Sequence, residues 1–106
     1  MSEATGFLIK DMQQEADEHQ AQAAAARVRE AEREAEDFKN LMAMELGRRF
    51  VWRLLDSTGV FRLSFNTDTL LMAFAEGRRN EGLRLLAQIH SLCPEQYPLM
   101  QKENRV

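Results

Sequence analysis

From residue 10 to residue 56 the chain contains no proline and a single glycine, Gly47. Over residues 10–37 Ala, Gln, Glu and Arg dominate, all of them strong helix formers. Val28, Ala31, Ala35, Phe38 and Met42 recur at spacings of three and four, and Leu41, Leu46, Val51, Leu54 and Leu55 carry the apolar side onward. The pattern predicts one continuous helix over about residues 10–56, with Gly47 its one weak point. A helix of that length exceeds the usual globular range and points to a coiled-coil-like or assembly role. The first six residues are expected to fray, as are residues 104–106.

The leading part of this run has little to bury. The Ala-rich stretch over residues 21–26 offers almost no anchor, and isolated helices are marginal in water, so contact with a partner is expected to stabilise it. Phe7, Leu8 and Ile9, with Met12 close behind, form the strongly apolar cluster ahead of Val28. A continuous helix would hold that cluster roughly 45 Å from the rest of the chain, taking ~30 residues at ~1.5 Å each. Phe7, Leu8, Ile9 and Met12 are therefore the candidate residues for docking on another protein chain.

Charge divides the chain at the same place. Residues 1–37 hold ten acids and four bases, a net charge of −6; residues 38–106 hold seven acids and ten bases, +3. An acidic helical arm over 1–37 thus precedes a mildly basic module over 38–106. Such asymmetry favours head-to-tail contacts between copies, or docking of the arm on a basic partner.

The module is organised around residues 68–92, where Leu71, Ala75, Gly82, Leu85, Ile89 and Leu92 share one side of a helix, with Phe74 and Leu86 at its margins. Gly82 lies on that stripe and predicts close approach of another backbone, whereas Gly77 is a potential break. Ser57, Thr58 and Gly59 form a stop signal in which Gly59 is suited to the left-handed conformation past a helix end. Val60, Phe61, Leu63 and Phe65 alternate as in a strand but have no second strand to pair with. They are read as a connector whose aromatics plug the core. Asn66, Thr67 or Asp68 is placed to cap the next helix. Pro94 and Pro98 bound a turn, followed by a short closing helix over residues 99–103.

The expected fold is therefore all-α: a long N-terminal helix running into a small helical bundle. Its expected core is Phe38, Trp52, Leu55, Phe61, Phe65, Phe74, Leu85, Leu86, Ile89 and Tyr97. At 106 residues and 44% hydrophobic content, one small core is available, and partners or further copies are expected to supply the missing burial. No apolar run approaches the ~20 residues of a membrane span. The opening residues do not read as a signal peptide, and the single cysteine, Cys93, suits a reducing cytoplasm.

Catalytic, cofactor and metal sites are not expected. His19 and His90 stand in no metal-ligand spacing with Cys93 or a carboxylate, and His90 reads as structural. Gly77 and Gly82 lack the preceding strand and the lysine of a phosphate-binding loop. The arm's carboxylates form a run, the signature of a solvated face and not of an acid–base pair. Arg48, Arg49, Arg53, Arg78, Arg79 and Arg84 are the candidate contacts for nucleic acid or for an acidic partner. A helix-turn-helix is disfavoured, because the connector over residues 58–67 exceeds the three to four residues of that motif. The sequence pI of about 5.4 also lacks the basic footprint of a DNA-binding domain.

From residue 37 onward a set of blocks follows in one order: Asp37-Phe38, Gly47-Arg48-Arg49, Trp52-Arg53-Leu54-Leu55, Gly59-Val60-Phe61, Glu76-Gly77-Arg78-Arg79, Gly82-Leu83-Arg84-Leu85-Leu86 and Cys93-Pro94. In these the chain resembles a family of small tailed-phage virion structural proteins typified by a Bordetella phage structural protein. The likeness covers about two-thirds of the chain and excludes the arm. It implies a non-enzymatic, cofactor-free, multi-copy subunit of a phage particle, made in the host cytoplasm and located in the virion. The place in the particle is not part of that implication; the expected partners are portal, neck or internal core proteins and copies of itself, with non-specific contact to packaged DNA an open alternative for the arginines, and neither a membrane nor a small-molecule substrate is expected. A scaffolding or assembly factor lost on maturation is the alternative, and a DNA-binding regulator the second.

Overall fold

Four α-helices carry the chain in the computed structural model, which describes residues 2–105: α1 (Ser2–Ala43), α2 (Glu45–Ser57), α3 (Thr69–Leu92) and α4 (Gln96–Asn104). The described residues contain no strand, so the fold is all-α, with a long first helix followed by smaller ones. Two compact units divide it, one ending at Ala35 and the other beginning at Glu36. Met1 and Val106, where fraying is expected, lie outside the described residues. Ser2 is already helical, so residues 2–6 do not fray as expected.

In the first unit, α1 is held by its own chemistry. Gln13 donates to Asp17 at 3.1 Å and Gln14 to Glu18 at 3.4 Å, while Arg33 pairs with Glu30 at 3.6 Å. These neighbours are three and four residues apart, each contributing a few tenths of a kcal/mol to a helix.

The second unit departs from the expected continuous helix. α1 stops at Ala43, and Met44 adopts an extended conformation (φ −97°, ψ 137°) before α2 begins. Gly47 sits just beyond this elbow and is buried: a Cβ there would lie 1.9 Å from the Leu41 carbonyl oxygen. That same oxygen accepts from the Met44 amide at 3.2 Å. Gly47 is thus the enabling residue of the break, although the break itself falls three residues earlier.

Past the elbow, α2 packs on α4 and α3, and α3 on α4. Met42, Val51, Leu55, Val60, Ile89, Cys93 and Met100 form the buried core, with Phe38, Leu41, Trp52, Leu85, Leu86, Leu92 and Tyr97 packed against it. Gly59 ends α2 with φ +75°, the left-handed conformation anticipated for it. Asp68 caps α3 by accepting from the amides of Leu70 and Leu71. α3 passes through Gly77 unbroken, with open space where a side chain would be. At Gly82, by contrast, a Cβ would stand 2.2 Å from Thr58 Oγ1 and 2.8 Å from Val60 Cβ. The glycine lets the connector cross α3 closely enough to bury Val60.

Three expected core aromatics are not in the core. Phe65 is 80% exposed and Phe74 67%, and Phe61 is exposed at its outer side while its ring packs 5.3 Å from Trp52. The connector meets α3 at Gly82, through Thr58 and Val60, and at Glu76, to which the Ser64 hydroxyl donates, and it leaves Leu71 and Phe74 exposed beyond that point. Methionines fill the space instead: Met42 and Met100 are fully buried, their flexible side chains suiting a junction of helix ends. α4 also begins earlier than expected, at Gln96. Burial pushes the Cys93 thiol above its ordinary value, Glu95 adds to the shift and Lys39 opposes it, leaving an inert packed thiol. His90 packs its ring 5.1 Å from that of Tyr97, as a structural histidine does.

Candidate functional site

The arm residues singled out from sequence all lie on α1 and all face solvent: Phe7 is 73% exposed, and Leu8, Ile9 and Met12 are comparably open. Phe7 and Asp11 are four apart, as are Leu8 and Met12, and Leu8 and Glu15 are seven apart. These spacings put apolar and acidic side chains on one side of the helix. The result is a solvent-facing apolar cluster interleaved with carboxylates.

The six candidate arginines do not gather on one surface. Arg48 is withdrawn altogether, at 7% exposure. Its guanidinium donates to both Glu103 carboxylate oxygens, from Nε at 2.6 Å and from Nη2 at 2.8 Å. Nη1 donates to the Met42 carbonyl at 3.0 Å and to Gln96 Oε1 at 3.4 Å. Arg48 therefore closes the C-terminal end of α1 and ties α2 to α4, and is not available as a surface contact. The bidentate Arg48 contact holds the Glu103 carboxyl below the usual glutamate range, and Arg48's own pKa is raised chiefly by the same hydrogen bond.

Three of the exposed arginines, Arg78, Arg84 and Arg53, each line a cleft, and the clefts of Arg78 and Arg84 share Thr58. Arg78 donates to the Ser57 carbonyl and lines a depression with Thr58, Arg62 and Leu63. Arg84 pairs with Glu81 at 3.1 Å and lines a second cleft with Leu54, Leu85 and Gln88. Arg53 borders a third, and Arg49 lies close enough to Glu103 to lower its pKa further. Arg79 is half-buried on α3.

That third cleft is a feature sequence reasoning missed. It is a groove of about 330 Å³ lined by Leu41, Met44, Leu46, Gly47, Phe50 and Arg53, with Met44, Leu46 and Phe50 exposed. The signal for it was the spacing of Leu46, Phe50 and Leu54, a row at intervals of four set apart from Val51 and Leu55. One narrow helix cannot bury both rows against a single core. Arg53 makes no hydrogen bond or ion pair with the described residues. The groove thus offers an apolar floor and one uncommitted cation at its edge.

Among the described residues no three His, Cys, Asp or Glu side chains are grouped to hold a metal ion. No described helix is long and apolar enough to cross a membrane.

Residues 38–102 match the family of Bbp19-like phage proteins. Neither a curated protein nor a solved structure matches the chain. The matched region holds the elbow glycine, Gly47, the Arg48 bridge as far as Gln96, and most of α4. Its extent covers more than half of the chain, in agreement with the resemblance read from the ordered blocks between Asp37 and Pro94, and on that ground the chain belongs to the family of Bbp19-like phage proteins.

Proposed function

We propose that this phage protein is a multi-copy structural component of a tailed-phage virion, associated with the portal, neck or internal core and working by protein–protein assembly. The observation that carries the reading is the exposed apolar cluster on the arm. A soluble monomer gains nothing from Phe7, Leu8, Ile9 and Met12 facing water on a helix that otherwise bears charges. Their natural use is to be buried on another chain. The engagement of Arg48 by Glu103 and of Arg84 by Glu81 favours protein contacts over a nucleic-acid-binding face. On this reading the protein is made in the host cytoplasm and carried into the particle, where the arm docks on a neighbouring virion protein.

Mass spectrometry of purified mature particles tests the role directly, with the full chain and a chain lacking residues 1–22 compared. The full chain is expected in mature particles at many copies. The truncated chain is expected to be lost from them, while its second unit keeps a melting temperature within ~2 °C of the parent, because an exposed terminal segment adds little to a core formed by other residues. A protein present in immature shells but depleted from mature ones is a scaffold instead. Incorporation of the truncated chain at the normal level makes the arm a passive tail.

A further inference from the structure

The groove and the arm cluster are each unpartnered, and their chemistry matches. The groove has an apolar floor of Leu41, Met44, Leu46 and Phe50 with Arg53 uncommitted at its edge. The arm presents Phe7, Leu8 and Met12 on the side of α1 that also carries Asp11 and Glu15. An amphipathic helix laid into a groove is read by anchors three, four and seven residues apart, which is the spacing these residues offer. Charge points the same way, since residues 1–37 carry −6 and residues 38–106 carry +3.

We propose that the apolar tip of one copy seats in the Arg53-edged groove of a second copy, with Leu8 and Met12 on the floor and Asp11 or Glu15 paired to Arg53. The contact is heterologous, because tip and groove are different surfaces. It repeats from copy to copy and closes into a ring where the rotation between copies allows, or continues as a filament where it does not. This rests on the reading of the chain as a multi-copy virion subunit and specifies which surfaces the copies use.

Sedimentation velocity of the purified full chain over a range of concentrations provides the test. The parent self-associates on this proposal. Leu8→Asp and Phe50→Asp each put a carboxylate into the apolar contact and are expected to weaken association ~30-fold or more, as loss of a central anchor does. Arg53→Glu alone, and Asp11→Arg with Glu15→Arg, are each expected to weaken it about tenfold. Mixing those two charge-reversed proteins restores association, because the basic arm of one then meets the acidic groove of the other. A generic sticky surface would show no such rescue.

Melting followed by Trp52 fluorescence checks that each variant is folded, and Leu8→Asp, in the other unit, remains a test where Phe50→Asp does not fold. A parent that stays monomeric at every concentration overturns the proposal, as does association indifferent to Phe50 and Leu8, or charge reversal without rescue. Its failure is separable from that of the virion role. A monomeric protein still found in mature particles removes this contact alone, and a self-associating protein absent from particles removes the virion role.

Discussion

Gly47→Ala is expected to destabilise the second unit by about 3 kcal/mol, a typical upper figure for overpacking in a closed site. For a unit of this size that lowers the melting temperature by roughly 10–20 °C. The added methyl would stand 1.9 Å from the Leu41 carbonyl oxygen and 2.8 Å from its carbon, so backbone must move and no side-chain rotation relieves the clash. In an exposed helix interior the same exchange has the opposite sign. Gly77 meets nothing within 4 Å, and Gly77→Ala is expected to raise stability by about 0.5–1 kcal/mol through helix propensity and a less flexible unfolded chain. The pair of variants, melted side by side on the Trp52 signal, separates close packing from propensity. Equal effects of the two substitutions would remove the elbow from the account.

The second large effect is expected at Arg48. Arg48→Ala leaves the Glu103 carboxylate without its bidentate partner and the Met42 carbonyl without its side-chain donor, and is expected to lower the melting temperature by roughly 10 °C or more. Arg48→Lys is expected to recover little, since an ammonium cannot reproduce the planar fork that reaches Glu103 and Met42 together. The pairing also sets a pH dependence. Glu103 titrates below its ordinary value of 4.5 in the folded protein, chiefly because Arg48 hydrogen-bonds its ionised form. Its stabilising contribution is therefore complete above that ordinary value and is lost as pH falls below it, through the lower folded value. Glu103→Gln removes the titration, so thermal melts between pH 6 and 3 should show a shallower acid decline than the parent. Parallel acid limbs for the two proteins would show that the pair contributes nothing to the pH profile.

Several parts of the fold are legible in the sequence. Recurrence at three and four announced helices, Gly59 announced the end of α2, and Asp68 was among the three caps named for α3. Gly82 announced a close crossing because it interrupts an otherwise apolar stripe. These signals are local: each depends on residues within a turn or two of one another. The arm cluster was legible for the same reason, as a short apolar sequence in a polar helix.

The elbow was not legible, because nothing at Ala43 or Met44 breaks a helix by composition. It exists because distant groups compensate for it. Arg48 satisfies the Met42 carbonyl left open at the end of α1, Glu103 on α4 holds Arg48 in place, and Gly47 admits the Leu41 carbonyl. The exposure of Phe65 and Phe74 has a similar origin. Their hydrophobicity matched a core, but burial needs a covering element, and the connector's contacts on α3, from Gly82 to Glu76, stop short of Phe74. By itself the sequence determined the all-α class, the stop at Gly59, the group of residues from which α3 takes its cap, and the family. Only the tertiary structure decided where the long helix ends, which arginine is internal, and which apolar row is left as a groove, because each depends on groups far apart in the chain meeting in space.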